Sequence, residues 1–353
     1  VAIVGCGHVG LVTGACFATL GHHVVGVDID SSLIERLNGG RITFFEPDLA
    51  ELVQSGRSNG RLWFTTSYEK AIGQAEFIFL SVDTPSTSTG AADLRHVRRA
   101  ITQIADALNP NAPQPLIVNK STSPIGTGET IDVILRGRLT SKLNRPRIVA
   151  NPEFLREGTA VQDFFHPHRI VIGAQSGEDA QRVASLYAGI QAPLVFTDVR
   201  SAELIKYVSN AFLATRVSFI NEVARLCEGL NTDIDDVLRG VSLDSRLGAD
   251  YLDPGIGYGG SCLPKDVAAL CHTGDTVGVP MRVLAAVEAA NANQRKHVVN
   301  SLRNLLGPLE GVTIAVWGIT FKGGTEDLRE SPAIDVITLL RNEGAWVRAY
   351  NPG

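Results

Sequence analysis

Residues 1–4 are uniformly apolar and run directly into Gly5-Cys6-Gly7-His8-Val9-Gly10, a junction that restricts the fold more than any other stretch. In a G-x-G-x-x-G turn the three glycines have separate uses: Gly5 permits the tight turn, Gly7 lets the backbone approach a pyrophosphate, and Gly10 lets the following helix pack closely on the strand. The pattern predicts a helix over residues 11–20, a stop at Gly21, and a second strand over 23–27 delivering Asp28 about twenty residues after the motif, where an acid accepts hydrogen bonds from the adenosine ribose. No arginine follows Asp28 at once to hold a 2′-phosphate, although Arg36 is near in sequence. NAD is therefore expected over NADP, with Gly5, Gly7, Val9, Gly10 and Asp28 in the cofactor set.

A chain of 353 residues exceeds one ordinary core and predicts two or three domains. Its net charge of -5 with interspersed signs offers no basic stripe for nucleic acid, and no apolar run is long enough to span a bilayer. Neither partner is expected. Five cysteines without C-x-x-C spacing fit free thiols in a reducing compartment, and the cytoplasm is the simplest assignment. The chain starts without Met and already inside a strand, so a few leading residues are expected to be missing.

Apolar runs at 75–82, 115–120 and 147–150 read as further parallel strands of a doubly wound sheet. The loops that follow them, 83–93, 121–127 and 151–158, should converge at the crevice outside the strand ends. A strand at 168–173 and a short α/β element come next. Residues 201–230 then form one helical pattern without proline, read as a domain connector and either a buried spine or a subunit interface. A strand at 311–318 opens a third region. The expected fold class is α/β: a Rossmann-type domain over 1–200, a central helical, dimerising domain over 201–300, and the start of a second Rossmann-like domain over 301–353, incomplete after roughly one β-α-β unit.

Residues 259–266 read Gly-Gly-Ser-Cys-Leu-Pro-Lys-Asp, placing one thiol in a glycine-rich turn with Lys265 and Asp266 just beyond. A thiol reacts as thiolate, and Lys265 with nearby backbone N–H groups would stabilise that anion. The competing reading is an ordinary turn with Cys262 as a small buried hydrophobe. Cys6, Cys16, Cys227 and Cys271 read as packing residues. On the long helix, Lys206 and Asn210 share one face, where they would bind an oxygen that changes charge during alcohol oxidation. His166 and His168 lack companions at ligand spacing, so no metal is expected.

Taken in order, residues 5–11, 82–85 with Gly90, Asp93 and Leu94, 120–127, 151–160, 203–222, 259–266 and 321–332 resemble the nucleotide-sugar 6-dehydrogenases, the UDP-glucose and GDP-mannose dehydrogenase family, over the whole chain. The resemblance implies oxidation of a primary alcohol to a carboxylate by two NAD molecules in succession, with the aldehyde held on Cys262. It implies that Lys206 and Asp266 assist deprotonation through a water, that Lys206 and Asn210 stabilise oxyanions, that Glu153 activates the hydrolytic water, and that Thr122 positions water or substrate. Thr84, Ser121, Glu157, Lys265 and Arg329 would serve the cofactor. Phe154, Leu155, Arg246, Tyr251, Gly257, Gly259 and Lys322 would meet the nucleotide sugar, Arg246 in a neighbouring subunit's site. A homodimer or larger homo-oligomer through the central helix is implied. Residues 254–258 resemble the UDP-glucose branch more than the GDP-mannose one, with GDP-mannose or another UDP-hexose as alternatives. An inactive NAD-binding scaffold is a more distant reading. Two positions depart from the family pattern: His8 stands where tyrosine is usual, and Ser123 where valine is usual.

Overall fold

The structure, a computed structural model, describes residues 1–109, 114–139 and 145–352. The chain divides into two compact units, Val1–Thr87 with Ala92–Lys206, and Ser88–Ala91 with Tyr207–Gly353.

The first unit is built on a sheet of eight strands among the described residues: β1 (Ala2–Val4), β2 (Val24–Val27), β3 (Leu62–Thr65), β4 (Phe77–Leu80), β5 (Leu116–Asn119), β6 (Arg147–Ala150), β7 (Ile170–Ala174) and β8 (Leu194–Thr197). Their order is β3-β2-β1-β4-β5-β6-β7-β8, and every neighbouring pair is parallel except the antiparallel β6 and β7. The order reverses between β1 and β4, the switch point at which α/β sheets bind ligands. The inner strands β1, β4 and β5 are short and buried on both faces, and their alternation divides the core in two. Ile3, Phe79, Val118 and Val149 enter one cluster with Phe17, Phe164 and Tyr187, whereas Ala2, Val4, Ile78, Leu80 and Ile117 enter the other with Ile101, Ile104 and Ile131. The register places Ile3, Phe79, Val118 and Val149 in one row across four strands, which is why single-residue alternation is preserved across the sheet.

Helices cover both faces: α1 (His8–Thr19), α2 (Ser31–Asn38), α3 (Leu49–Ser58), α4 (Tyr68–Ile72), α5 (Arg95–Ala107), α6 (Thr127–Arg138), α7 (Ala160–Phe165) and α8 (Gly177–Ser185). Helix α1 begins at His8 rather than at residue 11, because the glycine turn itself supplies its first turn. The antiparallel setting of β7 has no counterpart in the sequence pattern. The division between units falls within α9 (Val199–Leu230).

The second unit continues with α10 (Ile234–Ser242), α11 (Leu263–Thr276), α12 (Arg282–Leu306), β9 (Thr313–Trp317), α13 (Pro332–Asn342) and β10 (Trp346–Tyr350). Strands β9 and β10 are parallel, as a β-α-β crossover requires. Val336 and Leu340 of α13 pack with Val299 of α12 in a small core. Proline lies in the first turn of both α11 and α13, where its absent N–H costs nothing. Among the described residues no helix is long and apolar enough to cross a membrane.

Candidate active site

In the first unit, the structure demands glycine at two of the three positions of the opening turn, for different reasons. Gly5 has φ +94°, and a Cβ on it would lie 2.6 Å from the Ser81 carbonyl oxygen. A Cβ on Gly10 would fall 1.9 Å from the Gly5 carbonyl oxygen, so α1 could not approach the turn. A Cβ on Gly7 would meet no protein atom within 4 Å, so packing within the chain does not demand glycine there. Gly7 is also the N-cap of α1, with no side chain capping the first N–H groups. Such a helix start accepts an anion. Asp28 completes the cradle: its Oδ2 accepts the Cys6 N–H at 2.8 Å and its Oδ1 the Asp30 N–H at 3.0 Å. These residues fit a dinucleotide, with Val9 in the first turn of α1.

The ends of β4, β5 and β6 bring the next group together. Ser121 Oγ donates to the Val82 carbonyl at 2.7 Å, and the Thr84 hydroxyl donates to the Thr122 carbonyl, so two expected cofactor residues brace the adjoining loops. Thr122 Oγ1 donates to Glu153 Oε1 at 3.3 Å. The same oxygen lies 2.9 Å from Lys206 Nζ, while Oε2 accepts the Leu155 N–H at 2.7 Å. The Leu155 amide thus orients Glu153. Burial raises the Glu153 pKa, but Lys206, the Leu155 N–H and Lys120 together hold it below the usual glutamate value. The Phe154 ring lies beneath two cations, with the Arg169 guanidinium 3.7 Å and Lys206 Nζ 5.5 Å from its centroid. Glu157 is half-buried in the same loop.

Lys120 has no role in the reading of the sequence. It is 4% exposed, and Nζ donates to Asn151 Oδ1 at 3.2 Å and Tyr187 Oη at 3.3 Å. Burial brings its pKa down to about 8, against the opposing pull of Glu153. Glu203 carries no individual signal in the sequence either. It accepts the N–H groups of Gly126 and Gly128 at 2.7 and 2.8 Å, capping α6 from α9, and burial nevertheless pushes its pKa up to about 7.

The second unit holds the remaining groups. Cys262 is the N-cap of α11 and is half-buried, at the helix end whose dipole favours a thiolate. Ser261 Oγ is 3.6 Å from its sulfur. One turn on, Asp266 is fully buried, with Oδ1 2.6 Å from Lys265 Nζ and Oδ2 accepting Asn210 Nδ2 at 2.6 Å. The Lys265 ammonium thus pairs with the aspartate.

The glycines before the cysteine are fixed by residues far along the chain. A Cβ on Gly259 would lie 2.0 Å from the Glu330 carbonyl oxygen, and one on Gly260 2.6 Å from the Phe321 ring. The Gly260 N–H donates to the Arg329 carbonyl at 3.1 Å. Residues 259–266 and 321–332 are thus two parts of one packed turn. Gly257 has φ +108° and lies against Asn291, whose Oδ1 accepts the Tyr258 N–H at 2.9 Å. No motif points to Asn291. Tyr251 is half-exposed with φ 60°. Arg246 is exposed, with Nη2 2.6 Å from Asp244, Arg329 is exposed and paired with Asp327 at 2.8 Å, and Lys322 Nζ lies 5.7 Å from the Phe321 centroid. Among the described residues no group of three or more His, Cys, Asp or Glu side chains could hold a metal ion.

A dinucleotide cradle at the switch point of a doubly wound sheet fits a nicotinamide-dependent dehydrogenase. The NAD-binding domain of the UDP-glucose/GDP-mannose dehydrogenase family matches residues 1–191, its central domain residues 200–293, and its UDP-binding domain residues 315–353. The chain belongs to the UDP-glucose/GDP-mannose dehydrogenase family and is an NAD-dependent nucleotide-sugar dehydrogenase. It is 44% identical to the UDP-glucose 6-dehydrogenase TuaD of Bacillus subtilis, over 100% of this chain and 76% of that protein. With the UDP-glucose 6-dehydrogenase of Rhizobium meliloti it shares 43% identity over 100% of this chain and 81% of that protein. The UDP-glucose dehydrogenase structure from the archaeon Pyrobaculum islandicum superposes with a TM-score of 0.96 at 39% identity, covering 99% of this chain and 81% of that one.

Proposed function

We propose that this chain oxidises the C6 alcohol of UDP-glucose to the carboxylate of UDP-glucuronate in two steps, with Cys262 holding the carbon between them. The observation that carries the reading is the position of Cys262 at the start of α11, one turn before a buried Asp266 gripped by Lys265 and Asn210. NAD, when bound, supplies the hydride acceptor for each oxidation.

The chain's own residues handle the protons, the oxyanions and the carbon–sulfur bond. Lys206 and Asp266, through a water, take the hydroxyl proton as the alcohol becomes an aldehyde. An aldehyde has no tetrahedral hydrogen-bearing carbon, and addition of the Cys262 thiolate to it restores one, forming the C–S bond of a thiohemiacetal. Lys206 and Asn210 stabilise the charged oxygen of that adduct. Loss of the second hydride leaves a thioester. Glu153, ionised and aimed by Thr122 and Leu155, draws a proton from water, the water oxygen attacks the thioester carbon, and the C–S bond breaks to return the thiolate. The sum consumes one alcohol, two NAD and one water, and yields one carboxylate, two NADH and three protons.

Thr84, Ser121 and Glu157 line the cofactor, and Lys265 and Arg329 supply it with cations. Phe154, Leu155, Tyr251, Gly257, Gly259 and Lys322 serve the nucleotide sugar. The three functional segments are 1–200, 201–300 and 301–353. A reducing cytoplasm suits a free catalytic thiol. Two copies associate through α9, whose exposed Val208, Phe212, Phe219, Leu226 and Leu230 recur at intervals of four and seven and form one apolar stripe. Arg246 of one copy then serves the site of the other.

The test is NADH formed per sugar consumed, with UDP-glucose and GDP-mannose each limiting. Two per UDP-glucose supports the reading. One per sugar overturns the covalent second oxidation, two with GDP-mannose alone reassigns the substrate, and none with either favours another nucleotide sugar or the inactive scaffold.

A further inference from the structure

The reaction above gives no part to Glu46, yet its side chain is fully buried and gathers three donors distant in sequence. Oε2 lies 2.8 Å from His8 Nε2 and accepts the Gly158 N–H at 2.8 Å, while Oε1 accepts the Ala160 N–H at 2.7 Å. Burial raises its pKa, but these donors together lower it below the usual glutamate value. An ionised carboxylate has only acceptors to offer, so Nε2 is the His8 nitrogen that carries the proton.

The two ends of this contact belong to different parts of the first unit, the glycine turn and the loop after β6. His8 is the first residue of α1, immediately after Gly7 in the pyrophosphate turn, with its ring against Phe44 at 4.8 Å between centroids. Gly158 and Ala160 close the loop that carries Glu153, Phe154, Leu155 and Glu157. Helix α7 receives no cap from its own N-cap residue, Thr159, and Glu46 supplies the acceptor from elsewhere in the unit. The opposite flank of the loop is pinned by Asp163, which accepts the Arg156 N–H at 2.8 Å. Glu46 is therefore the point at which the cofactor turn holds the loop.

We propose that His8 and Glu46 are a positioning pair: the glycine turn, acting through His8 Nε2 and the Glu46 carboxylate, sets the backbone at 158–160 and so the placement of the loop bearing Glu153. A carboxylate serving only to cap α7 would not need His8. Losing that donor leaves one buried oxygen with a single partner and lets it turn. The kinetic part of the test rests on the proposed function, and the exchange part does not.

The variants are His8→Phe, which keeps a ring and removes the donor, His8→Tyr, which returns a donor at the far end of the ring, Glu46→Gln, and the His8→Phe/Glu46→Gln double variant. Their kcat and KM with UDP-glucose are measured beside the dissociation constant for NAD and amide hydrogen exchange across residues 158–160. His8→Phe should lower kcat/KM for the sugar about tenfold, the scale of one hydrogen bond to a charged group, with the NAD constant changed less than about threefold. His8→Tyr should recover most of the loss, and the double variant should be no worse than Glu46→Gln alone. Exchange at 158–160 should quicken in His8→Phe even if the wild-type protein makes no NADH from UDP-glucose, an outcome that would sink the substrate reading alone. Unchanged exchange, identical behaviour of the Phe and Tyr variants, or a loss confined to NAD binding overturns the pair. Should Glu46→Gln fold poorly, the two His8 variants decide the matter by themselves.

Discussion

Lys206 Nζ lies 2.9 Å from Glu153 Oε1, with the two side chains only 5% and 4% exposed. Removing one member of such a pair strands a charge in a dry site. Glu153→Gln keeps the shape but not the charge. It should show a burst of NADH followed by slow turnover in stopped-flow, because the oxidations proceed while thioester hydrolysis lags. Its unfolding free energy should fall by about 3–5 kcal/mol. An unaltered steady rate would count against Glu153 as the water activator.

Cys262→Ser replaces the thiol with a poor nucleophile at neutral pH. Binding of NAD and sugar should persist, while full turnover falls by about a thousandfold or more. Rapid quench should find the sugar held at the aldehyde level, and two NADH per sugar at an undiminished rate would exclude the covalent role.

Glu203 gives a pH signature in stability. Its folded pKa of about 7 lies above the ordinary 4.5, so between those values the folded state holds a proton that the unfolded chain has released. The contribution is complete below the unfolded value and is lost as pH rises through the folded one. Relative to Glu203→Gln, the wild-type protein should lose at most about 3 kcal/mol of stability between pH 4.5 and 7. Urea titrations at a series of pH values measure this, and parallel curves for the two proteins would contradict it.

Phe212 and Phe219, each 62% exposed, lie two turns apart on α9. Phe212→Asp combined with Phe219→Asp should shift the protein to a smaller species in sedimentation velocity without loss of helix content. An unchanged sedimentation coefficient would exclude this stripe as the contact between copies.

The strand–turn–helix opening, Asp28 and the long α9 were legible because each rests on local spacing. Gly5 needs positive φ, Gly10 needs a close neighbour, and a helical stripe repeats within its own segment. The cysteine turn was legible as a motif, but the reason for its glycines was not, since the atoms that forbid a Cβ at Gly259 and Gly260 come from Glu330 and Phe321. Lys120 and Glu203 fell within motif segments but were given no role, and Asn291 and Glu46 gave no local signal. Their partners lie tens to more than a hundred residues away.

The sequence by itself determined the doubly wound start and the choice of NAD, because turn conformation and helix periodicity are properties of a few adjacent residues. Tertiary structure alone decided which oxygen of Glu153 meets Lys206, which carboxylate takes Lys265, and how Glu46 joins the cofactor turn to the loop end. Hydrogen bonds and burial depend on which distant groups share a dry site, and only the folded chain specifies that.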